Sequence, residues 1–263
     1  MAYETITCSK ANQVATIALN RPQAMNALDF KMGDELLDCL LNLGDDPEVR
    51  AVILTGSGRA FSAGGDVRLF QQSLDKAPHL LLKRLTVPLH AIIAEIRHMN
   101  KPVIAAINGF ASGAGFSLAL ACDLIVAAES ARFNSAYINI GLTPDGALTC
   151  FLPRLIGLQR ASYLIFSGEL VDARAAYEMG FVNRVVKDDE LMKAVNELAA
   201  RLAAAPTLAI ARSKQLINQS ILGMLETQME QERQTIASSA LTGDFKEGVT
   251  AFFAKRKAEF KGR

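Results

Sequence analysis

The sequence predicts an α/β fold built on a mainly parallel sheet, and three observations carry that reading. Short apolar runs rich in β-branched residues, at 14–19, 49–54, 102–107 and 123–128, alternate with stretches whose apolar residues recur at helical spacing. Glycine-rich turns at 56–65 and 109–115 fall directly after two of those runs, where α/β sheets place their ligands. Beyond Ala161 the pattern becomes almost wholly helical, broken at Ser167-Gly168, Gly180, Pro206 and Gly243, and a C-terminal helical region is expected from about Leu191.

In chain order, the run from Val14 to Leu19 is the first expected strand, ended by Asn20-Arg21-Pro22. Asp29 is placed to cap a helix in which Met32, Leu36, Leu37, Leu40, Leu41 and Leu43 recur along one stripe. The next strand, at 49–54, closes at Thr55-Gly56-Ser57-Gly58, and strand-helix-strand order favours parallel pairing through a right-handed crossover. Residues 59–66 form a small, glycine-rich loop that leads into a helix from Val67. A mostly helical segment through Lys83 to Met99 precedes the strand at 102–107, and Asn108 to Gly115 turns that strand into a helix beginning near Phe116. Residues 123–128 are a further strand and Ala131-Arg132-Phe133 a short or edge one. Thr143-Pro144-Asp145-Gly146 is a strong turn signal, because proline presets φ, aspartate bonds its own backbone and glycine closes. A helix follows through Leu148, Phe151, Leu152, Leu155 and Ile156.

Composition excludes several classes. Half of the 263 residues are apolar, and 28 basic against 27 acidic residues leave a net charge of +1, so nothing draws the chain to nucleic acid or a membrane surface. The basic tail Lys255-Arg256-Lys257 with Lys261 and Arg263 reads as a solvated helix end. Cys8, Cys39, Cys122 and Cys150 lie far apart with no Cys-x-x-Cys pair, and His79, His90 and His98 match no metal spacing; free thiols and no metal are expected. The first residues show no charged segment followed by an apolar one, and no apolar run approaches bilayer length, so a cytoplasmic location is expected. Neither glycine-rich turn spells a dinucleotide fingerprint, and no P-loop is present, which sets aside nicotinamide and nucleotide-hydrolysing chemistry.

Both glycine-rich turns end a strand and open a helix, leaving backbone N–H groups without partners at the positive end of the helix dipole. They can hold an oxyanion, or they can simply let strand and helix pack closely. On residue chemistry alone Asp145 is a turn or helix-cap residue.

Four pieces in order carry a resemblance over nearly the whole chain: Leu19-Asn20-Arg21-Pro22, Phe61-Ser62-Ala63-Gly64-Gly65-Asp66, Lys101 to Gly109, and Glu247 to Arg256. Together they resemble the crotonase (enoyl-CoA hydratase/isomerase) superfamily, which binds acyl-CoA thioesters and stabilises their enolates. The resemblance implies a crotonase-like ββα-superhelix acyl-CoA-binding core over 1–190 and a C-terminal helical trimerisation region over 191–263. It implies a homotrimer or dimer of trimers, and no cofactor beyond the coenzyme A of the substrate. By position, the N–H groups of Gly65 and Ala114 form the oxyanion hole for the thioester carbonyl. Ala63 and Asp66 lie on the loop that meets coenzyme A, and Phe252 and Lys255 reach the adenine and phosphates from a neighbouring subunit. Asp66 as a helix cap and Lys255 as a solvated helix end are the competing readings.

The departures decide the expected chemistry. Hydratases of the family use two glutamates, and this chain carries Ser117 and Tyr137 at those places. Water addition needs a base for water and an acid for C2, which neither side chain at an ordinary pKa supplies well. Asp145, in Pro144-Asp145-Gly146, coincides with the single acid of the enoyl-CoA isomerases, those of the phenylacetate pathway included. With the family in view Asp145 becomes the expected catalytic base of a 1,3-proton shift, lined by Phe116, Tyr137, Leu142 and Phe151 as substrate contacts or as core. A hydratase or lyase, and a degenerate acyl-CoA-binding member, are the alternatives.

Overall fold

The computed structural model describes residues 3–73, 75, 77–220 and 242–262. The chain opens with β1 (Ile6–Ala11) and β2 (Val14–Leu19), then α1 (Phe30–Asp45), β3 (Ala51–Gly56), β4 (Ala60–Ser62), α2 (Val67–Ser73) and α3 (Pro78–His98). It continues with β5 (Val103–Ile107), β6 (Phe110–Ser112), α4 (Ala114–Ala121), β7 (Leu124–Ala128), β8 (Arg132–Asn134), α5 (Leu148–Ile156) and α6 (Leu158–Ser167). After these come β9 (Val171–Asp172), α7 (Ala173–Met179), β10 (Arg184–Val186), α8 (Leu191–Ala203), α9 (Thr207–Ser220) and α10 (Gly243–Phe253).

The strands fall into two sheets. The larger runs β1-β2-β3-β5-β7-β10 and the smaller β4-β6-β8-β9. From β3 onward the chain repeats one move: a strand in the large sheet, a short strand in the small one, then a helix back. Pairings β2–β3, β3–β5, β5–β7 and β7–β10 are all parallel, as are β4–β6 and β6–β8. This is the ββα spiral that the resemblance implied.

The continuous apolar runs follow from burial on both faces of a parallel sheet. Val52 and Leu54 of β3, with Val103, Ala105 and Ile107 of β5, face α1, α3 and α4 in the main core. The alternate residues Ala51, Ile53, Ile104 and Ala106 face the other way, where Leu191, Ala194, Val195 and Ala199 of α8 cover them. Asp29 caps α1 as expected, accepting the Met32 N–H at 2.9 Å.

Five of the described strands have no counterpart among those expected, including β6 inside the glycine-rich turn at 109–115 and the two-residue β9 in the stretch read as helical. β1 precedes the expected first strand and pairs antiparallel with β2 at the sheet edge, where most of its residues are exposed and no apolar run marks it. β4 lies inside the expected loop at 59–66, and β10 lies inside the stretch read as helical, where Arg184–Val186 is too short to show a period.

Candidate functional site

The C-terminal ends of β4, β6 and β8 lie side by side, because the three strands are parallel neighbours in the small sheet. The loop after β4 carries Ala63, Gly64 and Gly65. The turn after β6 carries Gly113 and Ala114, the first residue of α4. Contact between the two is close: a Cβ on Gly64 (φ +92°) would stand 2.7 Å from Ser112 O and 3.1 Å from Ala114 N. Only glycine fits that conformation beside that backbone.

The amides at this junction are left open by the chain's own pairing. Leu28 donates its N–H to Gly64 O at 2.7 Å and receives the Asp66 N–H on its carbonyl at 2.9 Å, a parallel bridge that passes over the Gly65 N–H. Ala114 opens α4, so its N–H has no carbonyl one turn back to bond; the Gly113 carbonyl takes the N–H groups of Phe116 and Ser117, both at 3.0 Å.

Asp145 comes to the same cavity from the turn before α5. The Tyr137 hydroxyl donates to its Oδ1 at 2.6 Å, and the Ser117 hydroxyl lies 3.0 Å from the Tyr137 oxygen and 2.9 Å from the Asp145 main-chain oxygen. Burial pushes the Asp145 carboxyl above the usual carboxylate range; the Tyr137 hydrogen bond and the charge of His90 pull the other way without cancelling it. Burial, and then the Asp145 charge, push the Tyr137 phenol far above its ordinary value, so it remains a proton donor.

A cavity of about 570 Å³ joins these groups, lined by Ala63, Gly65, Ala114, Tyr137, Leu142 and Asp145 among others. Asp145 is its one acidic side chain among the described residues. Two open amides and a half-buried carboxylate in an apolar chamber can polarise a carbonyl and move a proton beside it.

Of the side chains expected at the substrate within the chain, Phe116, Phe151 and Asp66 stand outside the cavity lining. Phe116 does not line the cavity: α4 is buried on every side, and its ring packs 5.7 Å from Phe133 and 5.4 Å from Phe181 between centroids. Asp66 caps α2, accepting the Arg68 N–H at 3.2 Å and pairing with Arg21 at 3.0 Å. Burial alone would raise its pKa, but the bonds from Arg68 and Arg21 hold it below the ordinary carboxylate value. Lys255 is exposed, just past α10 and outside the cavity lining. The Phe252 side chain lies outside the described residues.

The wall formed by α2 and α3 was missed. Val67, Phe70, Leu82, Leu85 and Leu89 make it largely apolar, with His79, Lys83 and Thr86 on the same lining. Leu82, Leu85 and Leu89 at spacings of three and four were the available signal. The four cysteines are free, and no cluster of candidate metal ligands and no helix able to cross a membrane occurs among the described residues.

The sequence profile of the family described as enoyl-CoA hydratase/isomerase matches residues 9–263. A crotonyl-CoA hydratase of Syntrophomonas wolfei is 38% identical over 261 residues, covering 99% of each chain. A 1,2-epoxyphenylacetyl-CoA isomerase of Escherichia coli is 38% identical over 255 residues, covering 95% of each. Among solved structures, an enoyl-CoA hydratase from Polaromonas sp. JS666 superposes with a TM-score of 0.93 at 34% identity, over 97% of this chain and 99% of that one. With the ββα spiral and a cavity at the strand ends already in place, these likenesses make the chain an enzyme of the enoyl-CoA hydratase/isomerase, or crotonase, superfamily.

Proposed function

We propose that this enzyme is an acyl-CoA double-bond isomerase, shifting a 3-enoyl-CoA, or a cyclic relative such as an oxepin-CoA, to the conjugated 2-enoyl-CoA. The observation that carries the reading is the lone acid: Asp145 lines the cavity with no second carboxylate among the described lining residues. One base suffices for a 1,3-proton shift, since the proton taken from C2 can return to C4 of the same dienolate.

In this reading the Gly65 and Ala114 N–H groups bind the thioester oxygen. A proton beside a thioester is weakly acidic until that oxygen is stabilised, and one such donor is worth roughly 3–4 kcal/mol in other enzymes. Asp145, ionised, takes the C2 proton; the neutral acid delivers it to C4. The raised carboxyl pKa narrows the gap between base and carbon acid.

Ala63 and Leu142 are assigned to the substrate as cavity lining, and Lys255 with Phe252 to the coenzyme A of a neighbouring subunit in a homotrimer or dimer of trimers. Exposed apolar side chains support assembly: Ile217 and Phe245 within the proposed oligomerisation region of 191–263, and Leu158 and Phe166 on α6, are each more than half exposed in the single chain. We place the enzyme in the cytoplasm, in keeping with its four free cysteines.

Hydration is the second reading, favoured by the likeness over 99% of each chain to a crotonyl-CoA hydratase. Parallel assays separate the two. Isomerisation predicts growth of conjugated-enoyl absorbance with trans-3-hexenoyl-CoA and little loss of it with crotonyl-CoA; the reverse pattern favours hydration.

A further inference from the structure

Two buried hydroxyls, of Tyr137 and Ser117, adjoin Asp145, and the proton shift described above uses neither. Tyr137 opens a single 3-10 turn (Tyr137–Ile140) after β8, flanked by Ala136 at φ 56° and Gly141 at φ 72°. Ser117 lies in the first turn of α4 and is fully buried. Proton bookkeeping fixes the direction of the Tyr137 bond. An ionised carboxylate only accepts, so the single Tyr137 proton goes to Asp145 Oδ1 at 2.6 Å. The Tyr137 oxygen is then left to accept, and the one proton of the Ser117 hydroxyl is shared among that oxygen at 3.0 Å, the Asp145 carbonyl at 2.9 Å and the Gly113 carbonyl at 3.4 Å. No slack exists behind Ser117: a Cβ on Gly146 would fall 2.8 Å from its Cβ, so the turn carrying Asp145 rests directly on α4.

We infer that Tyr137 is the positioning residue of the base, holding Asp145 Oδ1 so that Oδ2 carries the proton, and that Ser117 fixes Tyr137 in turn. The inference rests on the proposed role of Asp145. In the first half of the step the C2–H electron pair stays on carbon and becomes the dienolate, while the proton bonds to Oδ2. In the second half the dienolate collapses, C4 takes that proton from Oδ2, and the new double bond lies between C2 and C3. The Tyr137 proton stays on the phenol throughout, as its raised pKa requires. With one oxygen tied, the carboxyl does not rotate, and the proton has a single carrier.

The groups facing Asp145 are few among the described residues. Tyr137 approaches from the 3-10 turn and neutral Ser117 from α4, while α3 brings the charge of His90, with His79 and Lys83 on the same cavity lining.

The test uses Tyr137→Phe and Ser117→Ala in the full-length enzyme, with trans-3-hexenoyl-CoA deuterated at C2. KM, kcat, the acid limb of the pH profile and the share of deuterium recovered at C4 are read. For Tyr137→Phe, kcat falls with KM little changed, and the limb moves to higher pH by about one to two units, since a hydrogen bond to the charged form is lost. Deuterium at C4 also drops, because the untied carboxyl turns and exchanges with water. Ser117→Ala moves both readouts the same way by less, and stands in should the tyrosine variant fold poorly. His90→Gln isolates the imidazole's contribution, shifting the limb without changing the label path. A Tyr137→Phe enzyme with lower kcat but an unmoved limb and full label transfer overturns the inference and leaves Tyr137 a packing residue. Failure of the base assignment would show separately, as undiminished turnover in Asp145→Asn.

Discussion

Gly64 and Ala114 belong to loops that end adjacent parallel strands, and a Cβ on Gly64 would lie 3.1 Å from the Ala114 nitrogen. That contact sets the separation of the two amides assigned to the thioester oxygen. Gly64→Ala must therefore push the loops apart while also straining a left-handed φ of +92°. We expect a kcat loss of about a hundredfold or more, the scale of removing one oxyanion donor. Steady-state kinetics check it, beside a thermal melt that shows the fold retained.

If Asp145 is the base, its carboxyl gives the pH profile its acid limb. It acts as a base only when ionised, and burial raises its pKa. Activity is thus lost as pH falls through that raised value, with the midpoint above the ordinary aspartate value of about 3.9. A limb at or below the ordinary value would contradict a half-buried base.

Lys255 touches no part of the cavity within its own chain. If it meets the coenzyme A of a neighbouring subunit, Lys255→Ala raises KM severalfold with kcat nearly unchanged, the pattern of lost uniform binding. Unchanged saturation by substrate would leave Lys255 a solvated helix end.

A fourth expectation concerns stability. Lys214 on α9 is buried and donates to Asp123 at 2.7 Å and to the carbonyls of Ile96 at 2.5 Å and Lys101 at 3.1 Å, tying α9 to the end of α3. Lys214→Ala removes the donor from the Ile96 and Lys101 carbonyls, while Asp123 keeps Arg97 at 3.3 Å and the Val103 N–H at 2.8 Å. The cost should be about 3 kcal/mol, at the low end for breaking a buried pair, read as a lower denaturation midpoint.

Much of the fold was legible because parallel strands buried on both faces announce themselves as continuous apolar runs, as Ala51–Gly56 and Val103–Ile107 do. What escaped had no such signature. Ile6–Ala11 pairs on one side only at the sheet edge and keeps polar residues, and Ala60–Ser62 and Val171–Asp172 are too short for a period. At the site, the strand-to-helix turns were readable as places with open amides. Which helical faces line the cavity was not, since the direction of Phe116 depends on how α4 packs against Phe133 and Phe181. The same limit applied to Tyr137: a bond to a carboxylate eight residues later is set by tertiary placement of two turns and has no local pattern.

The account stands most directly on Asp145. Asp145→Asn keeps the side chain's size and its place in the turn while removing the basic oxygen, so conversion of trans-3-hexenoyl-CoA to the conjugated product should fall by about 10²–10⁴-fold. Retention of isomerisation near the wild-type rate would contradict a single-carboxylate mechanism.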